Sequence, residues 1–237
     1  MTADARRLAP PARPAAKTGP PMRLRAGTFL AVLAVAGIVI LAATQEVAPP
    51  VSARQAAVQI WLATRAAGFT TLVMLSIQIS LGLILSHPTN KSTWKLSKLL
   101  FPWHENAWVF VLAFLGAHIV TTVLDEWADV GLLGALIPGA SAYRTPAMAL
   151  GTLALWALLF TGLTARYTKL LPAGLWLRIH RISHVIFPIA WLHGVLAGTD
   201  SVAMVGLYGA SGLFVVAAVS YRYWVARQAR PTFSTTL

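Results

Sequence analysis

The sequence predicts an all-α membrane protein, a six-transmembrane-helix bundle with both termini cytoplasmic. Three observations favour this fold class. The 237 residues are 57% hydrophobic and only 11% charged, with a mean hydropathy of +0.67, whereas soluble domains carry about 25% charged residues. Six apolar runs follow one another along the chain. The basic residues are concentrated in every second connection between these runs, which is typical of membrane topology rather than of nucleic-acid binding.

The N-terminal part is predicted to lie outside the bundle. Residues 1–27 are rich in Ala, Pro and Arg and show no apolar period, so we expect a disordered basic cytoplasmic tail. The first apolar run, 28–44, is short for a membrane span, and a cleaved signal peptide is the competing interpretation. No small-x-small cleavage site follows the run directly. We therefore favour a retained helix.

The five later runs are long enough to cross about 30 Å of hydrocarbon as helices. They cover residues 56–86, 105–124, 146–166, 177–197 and 202–225. Together with the first run they make one transmembrane domain, residues 28–226, followed by a cytoplasmic tail, 227–237. The connection 125–145 is itself apolar, so we expect it to lie on the membrane surface or to cover one end of the bundle.

Charged residues divide between the two ends of the predicted bundle. Sixteen of the 19 Lys and Arg residues form the basic end: they lie in the two tails, in the loops 87–103 and 166–181, and at Arg222 near the end of the last run. The opposite, acidic end carries five of the seven acidic residues: Glu46, Asp125, Glu126, Asp129 and Asp200. The positive-inside rule places the basic end in the cytoplasm. The sequence thus predicts a multi-pass protein of a bacterial cytoplasmic membrane.

Four histidines stand inside apolar runs, where ionisable side chains are costly and indicate function. His104 and His118 are 14 residues apart, and His180 and His193 are 13 apart. At the α-helical rise these gaps span about 21 and 20 Å, so each helix can offer one imidazole near each leaflet. The third and fifth helices run in the same direction, which pairs His104 with His180 and His118 with His193.

Imidazole is a good axial ligand of haem iron, so the two pairs predict two stacked sites for haem b. The chain has no cysteine, which excludes iron–sulfur clusters, thiolate ligation and covalent c-type attachment. Fourteen residues bring a helical side chain back to within about 40°, whereas thirteen leave it about 140° away. A kink at Pro188 could rotate one half of the fifth helix against the other. The alternative that the protein binds one haem instead of two therefore stays open.

Several further residues are candidates around these sites. We expect His184 to be a hydrogen-bonding neighbour, with direct ligation in place of His180 as the alternative, and His87 to be a solvated loop residue. Gly116 and Gly194 could let a flat macrocycle approach the backbone.

Haem propionates are anionic and require cationic or indole donors. Near the basic end the candidates are Arg178 and Arg181, with Lys98 and Trp103 close by. Arg65 lies within the second helix at the depth of the outer leaflet and needs a partner. An outer propionate or an anionic substrate would serve, and snorkelling to the interface is the alternative.

The double histidine spacing and the stretch WLRIHRISHVIFPIAWLHGVLAGTD resemble the ferric-reductase-like transmembrane domain over roughly residues 28–226. That superfamily includes ferric reductases, NADPH oxidases and the haem-containing membrane subunit of methionine sulfoxide reductase systems. Some members also have an arginine near the outer haem, where Arg65 stands here. The resemblance implies two b-type haems held by His104, His118, His180 and His193.

The sequence also departs from that family. Full ferric reductases and oxidases continue into a cytosolic flavin and NADPH domain, whereas this sequence ends eleven residues after Ala226 and has no Gly-rich dinucleotide fingerprint. We therefore expect the electron donor to be a separate cytoplasmic flavoprotein reductase or a membrane quinol, with a bound flavin not evident. Oxidase members carry another histidine where this chain has Thr122, which argues against superoxide production.

The sequence thus predicts an oxidoreductase component that transfers electrons across the membrane to an extracytoplasmic acceptor such as ferric iron or a redox partner. It predicts no catalytic side chain. The expected partners include membrane lipid but not nucleic acid. One alternative is a haem subunit serving a periplasmic reductase such as methionine sulfoxide reductase. An alternative of another class is a non-redox transporter or channel with a histidine proton relay, against which the lack of acidic residues in helix centres argues.

Overall fold

The computed structural model describes residues 26–86, 94–172 and 174–228, and within them all regular structure is helical. The predicted all-α class is therefore confirmed for this part of the chain. The α-helices are α1 (Ala26–Val47), α2 (Ala53–Ala57), α3 (Gln59–Leu85), α4 (Trp94–Leu124), α5 (Gly131–Leu136), α6 (Thr145–Arg166), α7 (Leu175–Ile182), α8 (Ile186–Ala197) and α9 (Val205–Gln228). The predicted solvated loop residue His87 and most of the two tails lie outside the described residues.

Five segments of the described chain are long and apolar enough to cross a membrane. They lie within α1, α2–α3, α4, α6 and α9. Large apolar side chains on these helices face outwards: Ile38 is 66% exposed, Phe160 is 58% exposed and Leu213 is 71% exposed. Burying such side chains away from water is strongly favourable, so this surface requires an apolar surrounding.

Helix α3 lies at the centre of the bundle and contacts α1, α4, α8 and α9. Its residues Leu72, Leu75, Ile79 and Leu83 recur at helical spacing and form one buried stripe. The stripe packs against Val111 of α4, Phe187 of α8 and Tyr208, Val215 and Ala218 of α9. The same helix can therefore position groups that face it from several neighbours.

Small residues bring α1, α3 and α4 close together. Ala63 and Ala67 of α3 are 0% exposed and pack with Ala117 of α4 and Ile40 of α1. Small side chains at helix contacts let backbones approach closely, which is how helices gain packing energy in lipid.

The predicted fifth helix, 177–197, is not continuous. It consists of α7, a 3₁₀ turn over Ser183–Val185 and α8. Pro188 is the third residue of α8, where its missing N–H is tolerated, so the break lies one turn before the proline. A 3₁₀ turn winds about 120° per residue instead of about 100°, which reduces the offset between His180 and His193 from about 140° to about 80°.

The start of α4 also differs from the prediction. Helix α4 begins at Trp94 rather than near residue 105, and it includes Pro102. Hydropathy does not reveal this start, because Lys95 and Lys98 interrupt the apolar pattern. The connection 125–145 contains the short helix α5.

Candidate functional site

The structure brings the four predicted histidines together in the two predicted pairs. The ring centroids of His104 and His180 lie 6.0 Å apart, with ring planes at 68°. The ring centroids of His118 and His193 lie 6.3 Å apart, with ring planes at 70°. In each pair one ring comes from α4 and the other from the α7–α8 segment, so two facing imidazoles stand at two depths of the bundle.

Backbone carbonyls hold both rings of the acidic-end pair. His118 Nδ1 lies 2.9 Å from the carbonyl oxygen of Thr64 in α3, and His193 Nδ1 lies 2.8 Å from that of Ala147 in α6. A carbonyl can only accept, so each Nδ1 carries the hydrogen and donates it. This leaves the Nε2 lone pair of each ring free to bind a metal, and such bonds orient metal-ligating histidines.

Two glycines make room for these rings. A Cβ atom added to Gly68 would lie 3.1 Å from His118 Cε1, and one added to Gly151 would lie 2.6 Å from His193 Cε1. Each glycine stands four residues after the residue whose carbonyl accepts the Nδ1 bond. Each imidazole therefore lies flat against one turn of a neighbouring helix, with a glycine below it and a carbonyl at its edge.

The basic-end pair is built differently. A Cβ atom on Gly82 would lie 3.1 Å from His104 Cε1, and Gly82 follows Gly68 by 14 residues, as His118 follows His104. Gln78 Nε2 donates to the His104 carbonyl at 3.0 Å and so ties α3 to α4. The Nδ1 atoms of His104 and His180 are buried, and neither has a hydrogen-bond partner within the described residues.

A largely apolar cavity lies between His118 and His193 at the acidic end. Its walls come from α3, α4, α6, α8 and α9. The connection 125–145 closes it, because Asp125, Ala128, Val130, Ala135 and Tyr143 also line it. Of the two predicted arrangements for this connection, the structure has the one that covers the end of the bundle. His104 and His180 do not line this cavity.

Arg65 lines the same cavity and is ion-paired with Asp200. Its Nε donates to Asp200 Oδ2 at 2.9 Å, and its guanidinium carbon lies 5.1 Å from the Trp61 ring centroid and 5.5 Å from that of Phe69. The Arg65 side chain is only 13% exposed, so it does not snorkel to the surface. Sequence reasoning missed Asp200 as its partner, although an acidic residue at the same depth is what a membrane arginine requires.

Three further side chains close the acidic end, and sequence reasoning missed their roles. Arg144 donates from one terminal nitrogen to the carbonyls of Leu196 at 2.8 Å and Gly198 at 2.9 Å, at the C-terminus of α8. A cation there satisfies free carbonyls and complements the helix dipole. The Tyr143 hydroxyl donates to the Ala197 carbonyl at 3.2 Å. The Trp127 ring lies edge-on to that of Tyr143.

Asp125 is the buried carboxylate of this closure. It directly follows α4, its side chain lines the cavity, and its Oδ1 accepts from the Trp127 backbone N–H at 3.1 Å. Burial raises the pKa of Asp125, and backbone N–H donors of Trp127 and Ala128 partly offset that rise.

The remaining predicted residues lie at the basic end or on other contacts. Arg178 and Arg181 are exposed on α7. His184 is exposed, and its Nδ1 lies 2.5 Å from the Arg181 carbonyl oxygen; its expected role as a neighbour of the ligand site stays a prediction. The expectation for Gly116 was wrong, because a Cβ there would meet Leu33 of α1 at 2.6 Å. Gly194 does line the cavity, against Tyr208.

The spacing of both pairs fits two imidazoles on opposite sides of one metal. A metal–imidazole bond is about 2.0 Å long and the nitrogen lies about 1.1 Å from the ring centroid, which gives centroids about 6.2 Å apart. The observed 6.0 and 6.3 Å agree with this value. No cluster of three or more His, Asp or Glu side chains that could hold a free ion occurs in the described ranges. Two imidazoles suffice for a metal whose other positions a macrocycle fills, as in haem.

Comparison of the chain with protein-family models, with curated proteins and with solved structures found no match. Fold and site therefore define the class of this protein. The described part of the chain is all-helical and has five candidate membrane-spanning helices and two facing histidine pairs.

Proposed function

We propose that this protein is a dihaem b-type cytochrome that transfers electrons across the membrane. One observation supports this above all others: two histidine pairs, at two depths of the bundle, each have the ring spacing that a bis-imidazole iron site requires. The acidic-end pair adds a cavity between its rings. The resemblance to the ferric-reductase-like transmembrane domain rests on the same four residues.

The four histidines would be the axial ligands. His118 and His193 donate Nδ1–H to backbone carbonyls, so their Nε2 atoms would be the ones that bind iron. His104 is oriented by the contact of its ring with Gly82 and faces His180. Haem, when bound, supplies reversible one-electron chemistry at its iron.

The surroundings of each pair would hold and insulate the haem. The largely apolar walls of the acidic-end cavity would lower the local dielectric constant around a haem. Arg65, at that end, is the candidate for a propionate contact and would share its charge with Asp200. Arg178 and Arg181 are the corresponding candidates at the basic end.

The proposed topology has six crossings with both termini in the cytoplasm. Five are the candidate spanning segments, and the sixth is the α7–α8 segment, which runs from the basic end to the acidic end. The charge asymmetry supports this orientation. Electrons would then enter at the His104–His180 site and leave from the His118–His193 site.

The donor and the acceptor follow from this orientation. The donor would be a separate cytoplasmic flavoprotein or a membrane quinol, and a bound flavin remains open. The acceptor would be ferric iron or a redox partner outside the cytoplasm. In the second candidate function the protein is the haem subunit of a periplasmic reductase such as methionine sulfoxide reductase. The exposed carboxylates of Glu126 and Asp129 at the acidic end would suit a basic partner.

The test is the reduced-minus-oxidised visible spectrum of the full chain, purified in detergent after expression with ample haem, together with haem per chain. We expect about two b-type haems per chain in the wild type. His118→Ala and His193→Ala should each lower the ratio towards one. The matched control His184→Ala removes an exposed histidine and should leave the ratio unchanged.

The outcomes separate the proposed classes. Wild-type protein with no haem would overturn the cytochrome and favour a transporter or channel with a histidine relay. One haem per chain would keep the redox class but require a new pairing of the histidines. Copurification with a periplasmic reductase would favour the second candidate function.

A further inference from the structure

We infer that the basic-end site has an exchangeable ligand position at His180, which a small neutral ligand of ferrous haem such as carbon monoxide can occupy. This inference rests on the proposed haem function and deepens it. Under this inference both histidines of the acidic-end site keep their ligand positions, whereas His180 of the basic-end site can leave its position to a small ligand.

Three of the four histidines are held by their surroundings. His118 and His193 each have a glycine under the ring and a carbonyl that accepts from Nδ1. His104 lies against Gly82, and Gln78 bonds its backbone carbonyl to α3. Displacing any of these rings means breaking a hydrogen bond or moving a ring out of a close helix contact.

His180 has none of these constraints. No glycine in the described ranges has His180 among its nearest neighbours, and Gly162 of α6 faces open space. The Nδ1 atom of His180 is buried without a hydrogen-bond partner in the described part. Among the described residues, the aromatic rings that contact it are those of His104 and of Trp176 one turn earlier.

The helix that carries His180 is also the least anchored of the elements at the site. Helix α7 has eight residues, none of them buried, and a 3₁₀ turn separates it from α8. A swing of the His180 ring therefore does not require α8, which carries His193, to move. Were Nε2 of His180 to bind iron, the hydrogen would lie on Nδ1, which has no partner within the described residues. A swing that lets water accept from this N–H would then be favoured by hydrogen bonding.

The first test uses the full chain with both haems, reduced and exposed to carbon monoxide, with the bound gas measured from the difference spectrum. We expect about one carbon monoxide per two haems. The double variant His118→Ala/His193→Ala lacks both acidic-end ligands, and its remaining haem should bind carbon monoxide as fully as the basic-end haem of the wild type does. Loss of carbon monoxide binding in this variant would overturn the inference.

The second test opens the acidic-end site by design. Gly151→Ala places a Cβ 2.6 Å from His193 Cε1 and displaces that ring, so bound carbon monoxide should rise to about one per haem. Gly162→Ala, on the same helix, is the control, because its added Cβ meets no atom within 4 Å. It should leave the ratio of bound carbon monoxide to haem at the wild-type value.

The two proposals fail in different ways. Two haems per wild-type chain and no carbon monoxide binding would overturn the inference about His180 and leave the cytochrome intact. A wild-type chain without haem would overturn both.

Discussion

Glycine positions decide which histidine ring can lie where. Gly68 and Gly82 are 14 residues apart in α3, and each lies under one histidine of the pair that is 14 apart in α4. This equal spacing of glycines and histidines was visible in the sequence. A glycine is informative, however, only when the side chain that lies against it is known. Gly116 shows the difficulty, because it is two residues from His118 and yet faces α1.

We expect Gly68→Ala to disturb the acidic-end site. The added Cβ would lie 3.1 Å from His118 Cε1 and 3.2 Å from Nδ1, and such overpacking costs about 1–3 kcal/mol. Haem per chain and the midpoint of thermal unfolding in detergent should both fall. In the control Gly37→Ala the new Cβ meets nothing within 4 Å, and the better helix propensity of Ala should preserve stability. Equal behaviour of the two variants would contradict the ring contact.

Asp125 gives a pH-dependent prediction. Its pKa is raised by burial, so the folded protein binds this proton more tightly than the unfolded chain, and stability is lost as the pH rises through the folded-state pKa. Asp125→Asn removes the cost of the buried charge and can still accept from the Trp127 N–H. The variant should therefore unfold at a higher temperature than the wild type at pH 7.

The advantage of Asp125→Asn should shrink as the pH falls towards 3.8, the ordinary pKa of an aspartate. The neighbouring, exposed Glu126→Gln makes the same charge change and should alter neither the midpoint nor its pH dependence. A variant less stable than the wild type at pH 7 would show that the charged carboxylate is needed.

At the scale of elements, polar contacts tie the connections of the acidic end to the helices. The Arg65–Asp200 pair joins α3 to the α8–α9 connection. Arg144 joins the start of α6 to the C-terminus of α8. Both contacts fix the end of the helix that carries His193, which explains why α8 holds its place although the segment is broken before it.

We expect Asp200→Asn to destabilise the acidic end by about 1–3 kcal/mol, because it leaves the largely buried Arg65 without its counter-charge. The double variant Arg65→Leu/Asp200→Leu should lose less, since it leaves no unpaired charge. Asp129→Asn is the matched control: it is exposed, and Asn tolerates the positive φ of 46° found there. The midpoint of thermal unfolding in detergent is measured for all three variants. Equal midpoints for Asp200→Asn and Asp129→Asn would contradict a stabilising Arg65–Asp200 ion pair.

At the scale of the whole molecule, the bundle has an apolar exterior and encloses its polar groups. The large outward-facing side chains on α1, α6 and α9 suit lipid, whereas the four paired histidines and Arg65 face helix contacts or the cavity. Polar groups within a membrane are expected to have this distribution.

The absence of cysteine makes the topology testable by single-cysteine labelling. With six crossings, Thr199→Cys at the acidic end should react with a membrane-impermeant maleimide added to intact spheroplasts. Lys95→Cys and Lys169→Cys at the basic end should react only after permeabilisation. Equal labelling of Thr199→Cys and Lys169→Cys from outside would mean that the α7–α8 segment does not cross.

The sequence by itself determined the helical class, five of the six approximate spans and the two levels of the bundle at which the four histidines lie. These properties are local, because hydropathy is a sum over neighbouring residues and depth follows from a constant rise per residue. The tertiary structure alone decided which faces meet: the 3₁₀ turn that redirects His193, the glycines against His104, His118 and His193, and Asp200 as the partner of Arg65. The glycine and Asp200 contacts join residues of different elements that are far apart in the sequence, up to 135 positions for the Arg65–Asp200 pair. They depend on how each helix is rotated about its axis, and packing against the other helices sets that rotation.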